Sequence, residues 1–246
     1  MVRNVRTYNH FCLLARALEC VGDRWSLLVV RDLLSGAKRF TDLADRLRGI
    51  TPKTLTQRLL ELQAIGVVAA DREPGRREVW YRLTGAGNDL GPAIDALSWW
   101  GMNHAWRPPR QGEPLHIEHL LRAITQVIER TTQDRAPARW HFRFSGDDGY
   151  LIECDGEHWS LRTAEPTEAP DVTVASGTDA WTQFVRDPAP EHAARLGIDI
   201  RGAAKAVRRF SRLLRAFPDS VAEREAGTPP ESAPSDAAAT APRPGR

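Results

Sequence analysis

Apolar residues recur at intervals of three and four in the first third of the chain, and this spacing predicts short amphipathic helices. One helix is predicted in residues 24–35, and Gly36 ends it. A second, shorter helix is predicted in residues 40–47, before a tight turn at Arg48-Gly49. The segment that follows the turn is polar, and its pattern indicates which motif these helices form.

A third helix is predicted to begin at Pro52. Thr51 offers a side-chain oxygen to the free N–H groups of the first turn, and proline suits the first helical position because its missing N–H is not needed there. The apolar face comprises Leu55, Leu59 and Leu62. The opposite face carries hydrogen-bonding side chains, which are Lys53, Thr54, Gln57, Arg58 and Glu61, with Leu60 on the border and Thr56 beside the apolar stripe.

A short helix, a glycine turn and a second helix with a polar face are typical of a helix-turn-helix, whose second helix can enter the DNA major groove. Glutamine can bond adenine, arginine can bond guanine, and threonine can contact a methyl group or a phosphate. A solvated helix face has the same composition, so this segment alone leaves both interpretations open.

Two strands, in residues 67–73 and 78–84, are predicted after the helix, with a turn at Pro74-Gly75 between them. Arginines at such a hairpin suit phosphate or minor-groove contact, which is the plan of a winged helix. The candidate DNA contacts are Arg39, Thr51, Lys53, Thr54, Thr56, Gln57, Arg58, Arg72, Arg76 and Arg77.

The helix predicted after Thr84 carries more apolar and aromatic surface than a small monomer can cover, and such patches usually contact a partner. We assign it, together with a helix in residues 10–21, to a two-fold dimer interface. The interface residues are predicted to be Leu14, Leu18, Leu97, Trp99 and Trp100. A dimer would place two recognition helices about 34 Å apart, as a pseudo-palindromic operator requires.

The second half of the chain follows a different pattern. Residues 108–113 read as a linker between a first domain in residues 1–107 and a second in residues 114–218. An amphipathic helix, a four-strand meander, and helices around one further strand predict an α+β domain with an antiparallel or mixed sheet. Residues 219–246 are rich in proline and alanine and are predicted to be a disordered tail.

The second domain is rich in large apolar side chains, which either line a ligand cavity or fill a core. The candidate lining residues are Trp140, Phe142, Phe144, Leu151, Trp159, Trp181, Phe184, Phe210 and Leu214. No nucleophile elbow, phosphate loop or paired-carboxylate motif is present, so we predict no catalytic residues and no enzymatic activity. The histidine and cysteine spacings do not predict a metal site, and no cofactor is expected.

Composition agrees with a globular protein of 246 residues, with 41% hydrophobic and 27% charged residues. The formal net charge is only +2, so any basic surface for nucleic acid must be local. No membrane-spanning segment or signal peptide is predicted, and we expect a cytoplasmic protein that does not contact a membrane. Three scattered cysteines are too few for a disulfide framework.

Several segments of the first domain resemble the HxlR-type winged-helix regulators, relatives of the MarR-type proteins. They are VGDRWSLLVVRDLLSGAKRFTDLADRL, ITPKTLTQRLLELQAIGVV and VWYRLTGAG, and the resemblance runs from about Cys12 to Trp106. It implies a dimeric DNA-binding regulator whose recognition helix begins at Pro52 and whose wing surrounds Gly75. Some relatives sense oxidants or electrophiles with a cysteine at the position of Cys12. Here Leu13 replaces the family's frequent proline, and Cys12 could instead be a buried small hydrophobe.

The second domain is similar to the sterol carrier protein type 2-like fold, through DVTV before a helix and GIDIRGAAKAV before the last helix. This resemblance implies that the domain binds a small hydrophobic effector. We therefore expect a transcriptional regulator that binds double-stranded DNA as a homodimer and acts as a repressor. The alternative is a lipid or sterol carrier, or an enzyme with a cavity, whose first domain serves only for dimerisation.

Overall fold

The computed structural model describes residues 7–72, 78–105, 107, 110, 113–144, 149–164 and 169–227. The first domain consists of helices α1 to α6 and strands β1 to β3. In chain order they are α1 (Leu13–Val21), α2 (Ser26–Leu33), β1 (Lys38–Arg39), α3 (Phe40–Arg46), α4 (Pro52–Ala64), β2 (Val68–Arg72), β3 (Val79–Leu83), α5 (Gly85–Asn88) and α6 (Gly91–His104).

This domain is a winged helix, as predicted, and its small sheet has the order β1-β3-β2. Strands β2 and β3 form the predicted hairpin, with Val68 opposite Leu83 and Arg72 opposite Val79. Strand β1 was not predicted, and its two residues pair with the other edge of β3. The wing is thereby joined directly to the start of α3.

Helix α4 begins at Pro52, as its sequence predicts. The Thr51 side chain accepts a hydrogen bond from the backbone N–H of Thr54 at 3.2 Å, and Pro52 occupies the first turn. Leu55, Leu59 and Leu62 are the buried side chains of the helix. Gly66 follows the helix with a φ of +74°, a left-handed conformation that glycine adopts without steric cost.

The second domain is an α+β domain with a five-stranded mixed sheet. Its elements are α7 (Ile117–Thr131), β4 (Ala138–Phe144), β5 (Tyr150–Cys154), β6 (Trp159–Thr163), β7 (Val172–Ser176), α8 (Thr178–Phe184), α9 (Pro190–Arg195), β8 (Asp199–Gly202), α10 (Ala204–Leu214) and α11 (Ala216–Gly227). The strand order is β6-β5-β4-β7-β8.

The predicted four-strand meander is wrong in its last step. Strands β4, β5 and β6 are antiparallel neighbours, but β7 crosses over and pairs with β4 in parallel, with Trp140 opposite Val172. Strand β8 then pairs antiparallel with β7. The crossover places β4 at the centre of the sheet, where both of its edges are hydrogen-bonded.

Most of the predicted cavity-lining residues belong to one core between the sheet and the helices. The rings of Trp140 and Phe210 lie 5.0 Å apart, and those of Phe142 and Trp181 lie 5.3 Å apart. Leu151 is an exception, because it is paired with His141 and so points to the other face of the sheet from Trp140. The aromatic side chains pack on one another, so a ligand between them would have to separate the rings.

The predicted tail begins later than expected. Helix α11 continues to Gly227, so the prediction of disorder is wrong for residues 219–227, which lack the prolines of the segment beyond. Residues 228–246 lie outside the described part of the chain. Among the described residues, no helix is both long enough and apolar enough to cross a membrane.

Candidate nucleic-acid interface

The outward face of α4 is the central feature of the candidate interface. Its exposed side chains include Lys53, Thr56, Gln57 and Leu60, and Leu60 is 57% exposed. The exposed ridge is therefore rotated from the predicted polar face, and it carries one apolar side chain in its middle. A leucine at this position can make an apolar contact with a thymine methyl group, while the polar neighbours supply hydrogen bonds.

Arg58 occupies the flank of this ridge and is held by the protein itself. Its guanidinium contacts Asp23 at 3.3 Å and Glu61 at 2.6 Å, and its side chain is 20% exposed. Asp23 lies in the turn before α2, so the ion pair ties α4 to the segment that leads into α2. To read a base, Arg58 would have to leave these carboxylates.

Several other polar side chains of α4 also have partners within the helix or its cap. The hydroxyl groups of Thr51 and Thr54 lie 2.8 Å apart, and the Thr56 hydroxyl donates to the carbonyl of Pro52. The side-chain amide of Gln57 donates to Glu61 at 2.8 Å, which leaves its oxygen as an acceptor. These contacts orient Thr56 and Gln57 of the ridge in the unbound protein.

Arg39 joins the helix-turn-helix to the wing. It lies at the N-terminal boundary of α3, its guanidinium is 4.7 Å from the centre of the Trp80 ring, and it forms an ion pair with Glu78 at 3.0 Å. Arg39 was predicted only as a DNA contact. In the structure its contacts with Trp80 and Glu78 also hold β3 against the start of α3.

The wing presents one of its predicted arginines within the described residues. Arg72 is exposed at the end of β2, next to Asp71, which forms a 2.5 Å ion pair with Arg82 across the hairpin. Arg76 and Arg77 lie outside the described residues. The strands that carry the turn are thus placed, whereas the contacts of its basic tip stay a prediction.

Most of the predicted dimer residues are exposed in the single chain. Leu14, Leu18, Leu97 and Trp100 are 66%, 39%, 55% and 58% exposed, respectively. Trp99 is only partly exposed, because the guanidinium of Arg130 lies over its ring at 5.0 Å. Trp99 therefore contacts the second domain.

Cys12 is exposed and precedes the first residue of α1. The alternative of a buried hydrophobe is thus wrong for the single chain. Cys20 is also exposed, whereas Cys154 is buried. Exposure leaves Cys12 accessible to an oxidant, but its role as a sensor stays a prediction.

A charged cluster at the domain junction was missed by the sequence interpretation. Asp32 of α2 is fully buried, and it contacts His119 of α7 at 2.8 Å and Arg31 at 3.1 Å. Arg46 of α3 forms an ion pair with Glu118 of α7, which is also buried. An aspartate within the apolar pattern of α2 was the available signal, because a buried carboxylate needs partners.

The cluster shifts the protonation of its members. Burial lowers the pKa of the His119 imidazole, against the hydrogen bond to Asp32 that raises it. Burial raises the pKa of Asp32, but the hydrogen bond from His119 and the nearby positive charge of Arg31 outweigh it, so the net shift is downward. Asp32 is consequently held as a carboxylate between the two domains.

Comparison with known proteins agrees with the geometry of the first domain. Residues 20–108 match the family model described as HxlR-like helix-turn-helix. An HTH-type transcriptional regulator of Mycobacterium tuberculosis, Rv3095, is 44% identical over 107 residues, which are 42% of this chain and 65% of that protein. The chain thus spans somewhat less than two thirds of the length of this relative.

The chain covers a larger share of a second relative. The HTH-type transcriptional regulator YtcD of Bacillus subtilis is 37% identical over 90 residues, which are 35% of this chain and 70% of that protein. A crystal structure of ytcD has 35% sequence identity and a TM-score of 0.37, with 39% of this chain and 99% of that chain covered. The matched residues of the family model end before α7, so they leave the second domain unassigned. The chain belongs to the HxlR family of helix-turn-helix transcriptional regulators.

Proposed function

We propose that the chain binds a pseudo-palindromic DNA operator as a homodimer and represses transcription. The observation that carries the proposal is the exposed ridge of α4, with Lys53, Thr56 and Gln57 on a helix that is capped and anchored in the core. Such a ridge can enter the major groove and present its side chains to base edges. Lys53 and the wing arginines would neutralise phosphates on either side.

Dimerisation is supported by the apolar side chains that the single chain leaves uncovered. Leu14 and Leu18 form an exposed strip on α1, and Leu97 and Trp100 form another on α6. Burying these strips against a second copy by two-fold symmetry would remove apolar surface from water and pair two α4 helices. The protein would act in the cytoplasm, where its DNA is found.

The second domain is proposed to sense a small molecule. A resemblance to the sterol carrier protein type 2-like fold and the aromatic composition of its core support a hydrophobic effector. The rings around Trp140 and Phe210 contact one another, so such an effector would bind by displacing them. Control of transcription requires that the effector bind one conformation of the dimer better than the other.

The test is DNA binding measured as a function of salt concentration. The full-length protein is mixed with the DNA upstream of its own coding region and with random DNA of equal length, and retardation is followed in a gel. We expect tighter binding to the upstream DNA, with affinity that falls as salt increases because phosphate contacts release counterions. No retardation at low salt, together with uptake of a fluorescent fatty acid, would instead support the carrier.

A further inference from the structure

A groove lies between the two domains and is bordered on one side by Trp159, which also belongs to the aromatic core. It is formed by α6, α7 and β6, and its volume is about 460 Å³, which is within the usual range for small-molecule sites. Its walls include Asp95, Gln126, Arg130, Ser160 and Leu161. The groove therefore has room for a ligand without any movement of the core rings.

The carboxylates in the groove are already neutralised by protein groups. Asp95 accepts two hydrogen bonds from Arg122, at 2.6 and 3.1 Å, and one from Gln126 at 2.7 Å. Glu129 accepts from the backbone N–H of Trp159 at 2.8 Å and contacts His158 at 3.1 Å. A ligand would thus meet little net negative charge on these walls.

Arg130 differs from the other cations of the groove. Within the described residues it has no carboxylate partner, and its guanidinium rests against the face of Trp99 at 5.0 Å. The exposed hydroxyl of Ser160 also makes no hydrogen bond to the described part of the chain. A free guanidinium and a free hydroxyl beside the apolar wall of Leu161 match an anion with an apolar body.

We propose that this groove binds a small organic carboxylate with an apolar body. The carboxylate accepts hydrogen bonds from Arg130 and Ser160, and the apolar body covers Leu161. Arginine suits this task because its planar guanidinium can form two parallel hydrogen bonds with a carboxylate.

The groove adjoins the charged cluster at the domain junction. A neighbouring hollow of about 30 Å³ shares Arg122 and Leu161 with the groove and is also lined by Arg31 and His119. Arg31 and His119 both contact Asp32, on a helix of the DNA-binding half. Occupancy of the groove can therefore bias the contact between the domains, a consequence that rests on the proposed function as a DNA-binding regulator.

Calorimetric titration of the full-length protein tests the site without DNA. The probes are naphthoate and its neutral analogue naphthamide, with the native chain, Arg130→Ala and the control Arg208→Ala, which removes an exposed arginine from α10. We expect naphthoate to bind the native chain and Arg208→Ala equally, and Arg130→Ala about tenfold more weakly, because a charge-assisted hydrogen bond is lost. The affinity for naphthamide should be the same in all three proteins.

Two results of the titration would contradict the proposed site. Absence of naphthoate binding up to ~5 mM, or an equal loss in both variants, would overturn the anion site.

A separate gel-shift series with and without naphthoate addresses regulation. Loss of all DNA binding in the probe-free samples would contradict the proposed function and leave the calorimetric result standing, whereas DNA binding that ignores bound naphthoate would contradict only the coupling.

Discussion

Thr51 stabilises the start of α4 through a single hydroxyl group. That oxygen accepts the backbone N–H of Thr54, which would otherwise have no partner in the first turn. We expect Thr51→Ala to lower the free energy of unfolding by about 1 kcal/mol, measured by urea denaturation. The matched control is Thr56→Ala, which removes a hydroxyl whose one hydrogen bond within the described residues is to the carbonyl of Pro52. Equal destabilisation by both substitutions would contradict the capping role.

Arg58 is a candidate base contact, and its ion pairs with Asp23 and Glu61 also link it to the stability of the fold. We expect Arg58→Ala to weaken binding to the specific operator by about 1 to 3 kcal/mol and to have a smaller effect on random DNA. Fluorescence anisotropy with both DNAs measures the difference, and Lys53→Ala serves as a comparison that should weaken both alike. If Arg58→Ala reduced both affinities equally and also lowered the thermal midpoint, Arg58 would act only through Asp23 and Glu61.

The sequence predicted the position of these residues on α4 but not the direction of every side chain. Leu55, Leu59 and Leu62 are buried as expected, because helical periodicity alone defines the core face. Arg58 turns towards Asp23, a partner distant along the chain, and this contact depends on how α4 packs against the segment before α2. Tertiary contacts of this kind are not encoded in the spacing of one helix.

At the scale of secondary-structure elements, the same limit explains the sheet of the second domain. Alternating apolar and polar residues correctly indicated the existence of strands β4 and β7, because alternation defines the two faces of a strand. It does not define the neighbouring strand, so the parallel pairing of β7 with β4 was missed. Leu151 was placed on the wrong face for the same reason, since its register with His141 comes from pairing.

The wing is expected to contribute affinity without sequence preference. We predict that Arg72→Ala, Arg76→Ala and Arg77→Ala each weaken operator and random DNA alike, and that each lowers the slope of log affinity against log salt by about 1. Anisotropy titrations at several salt concentrations measure both quantities. The control is Arg208→Ala on α10, which should leave the slope unchanged. A sequence-dependent loss would instead indicate base contact in the minor groove.

At the scale of the whole molecule, the exposed strips on α1 and α6 are the proposed dimer interface. We expect Leu97→Asp to shift the protein from dimer to monomer, because it places a charge in an interface that is otherwise apolar. Light scattering during size-exclusion chromatography measures the mass. Leu115→Asp is the matched control, since Leu115 is also exposed but lies outside the predicted interface. Dimers of unchanged stability in Leu97→Asp would exclude this face of α6.

The charged cluster that joins the two domains is expected to make stability depend on pH. His119 faces Asp32 and Arg31 of α2 and Arg46 of α3, and burial holds its pKa below the ordinary value. In the unfolded chain the imidazole regains a pKa of about 6.5, so the unfolded state takes up a proton more readily as the pH falls through this value. The free energy of unfolding should therefore decrease as the pH falls from about 7 to about 5.

We expect His119→Gln to flatten this decrease, because glutamine retains an N–H donor for Asp32 but does not titrate in this range. His116, whose pKa burial also lowers, would account for part of the dependence that remains. Thermal unfolding of both proteins at a series of pH values measures the effect, with the exposed His10→Gln as control. Parallel pH curves for His119→Gln and the native chain would assign the loss of stability to groups outside the junction.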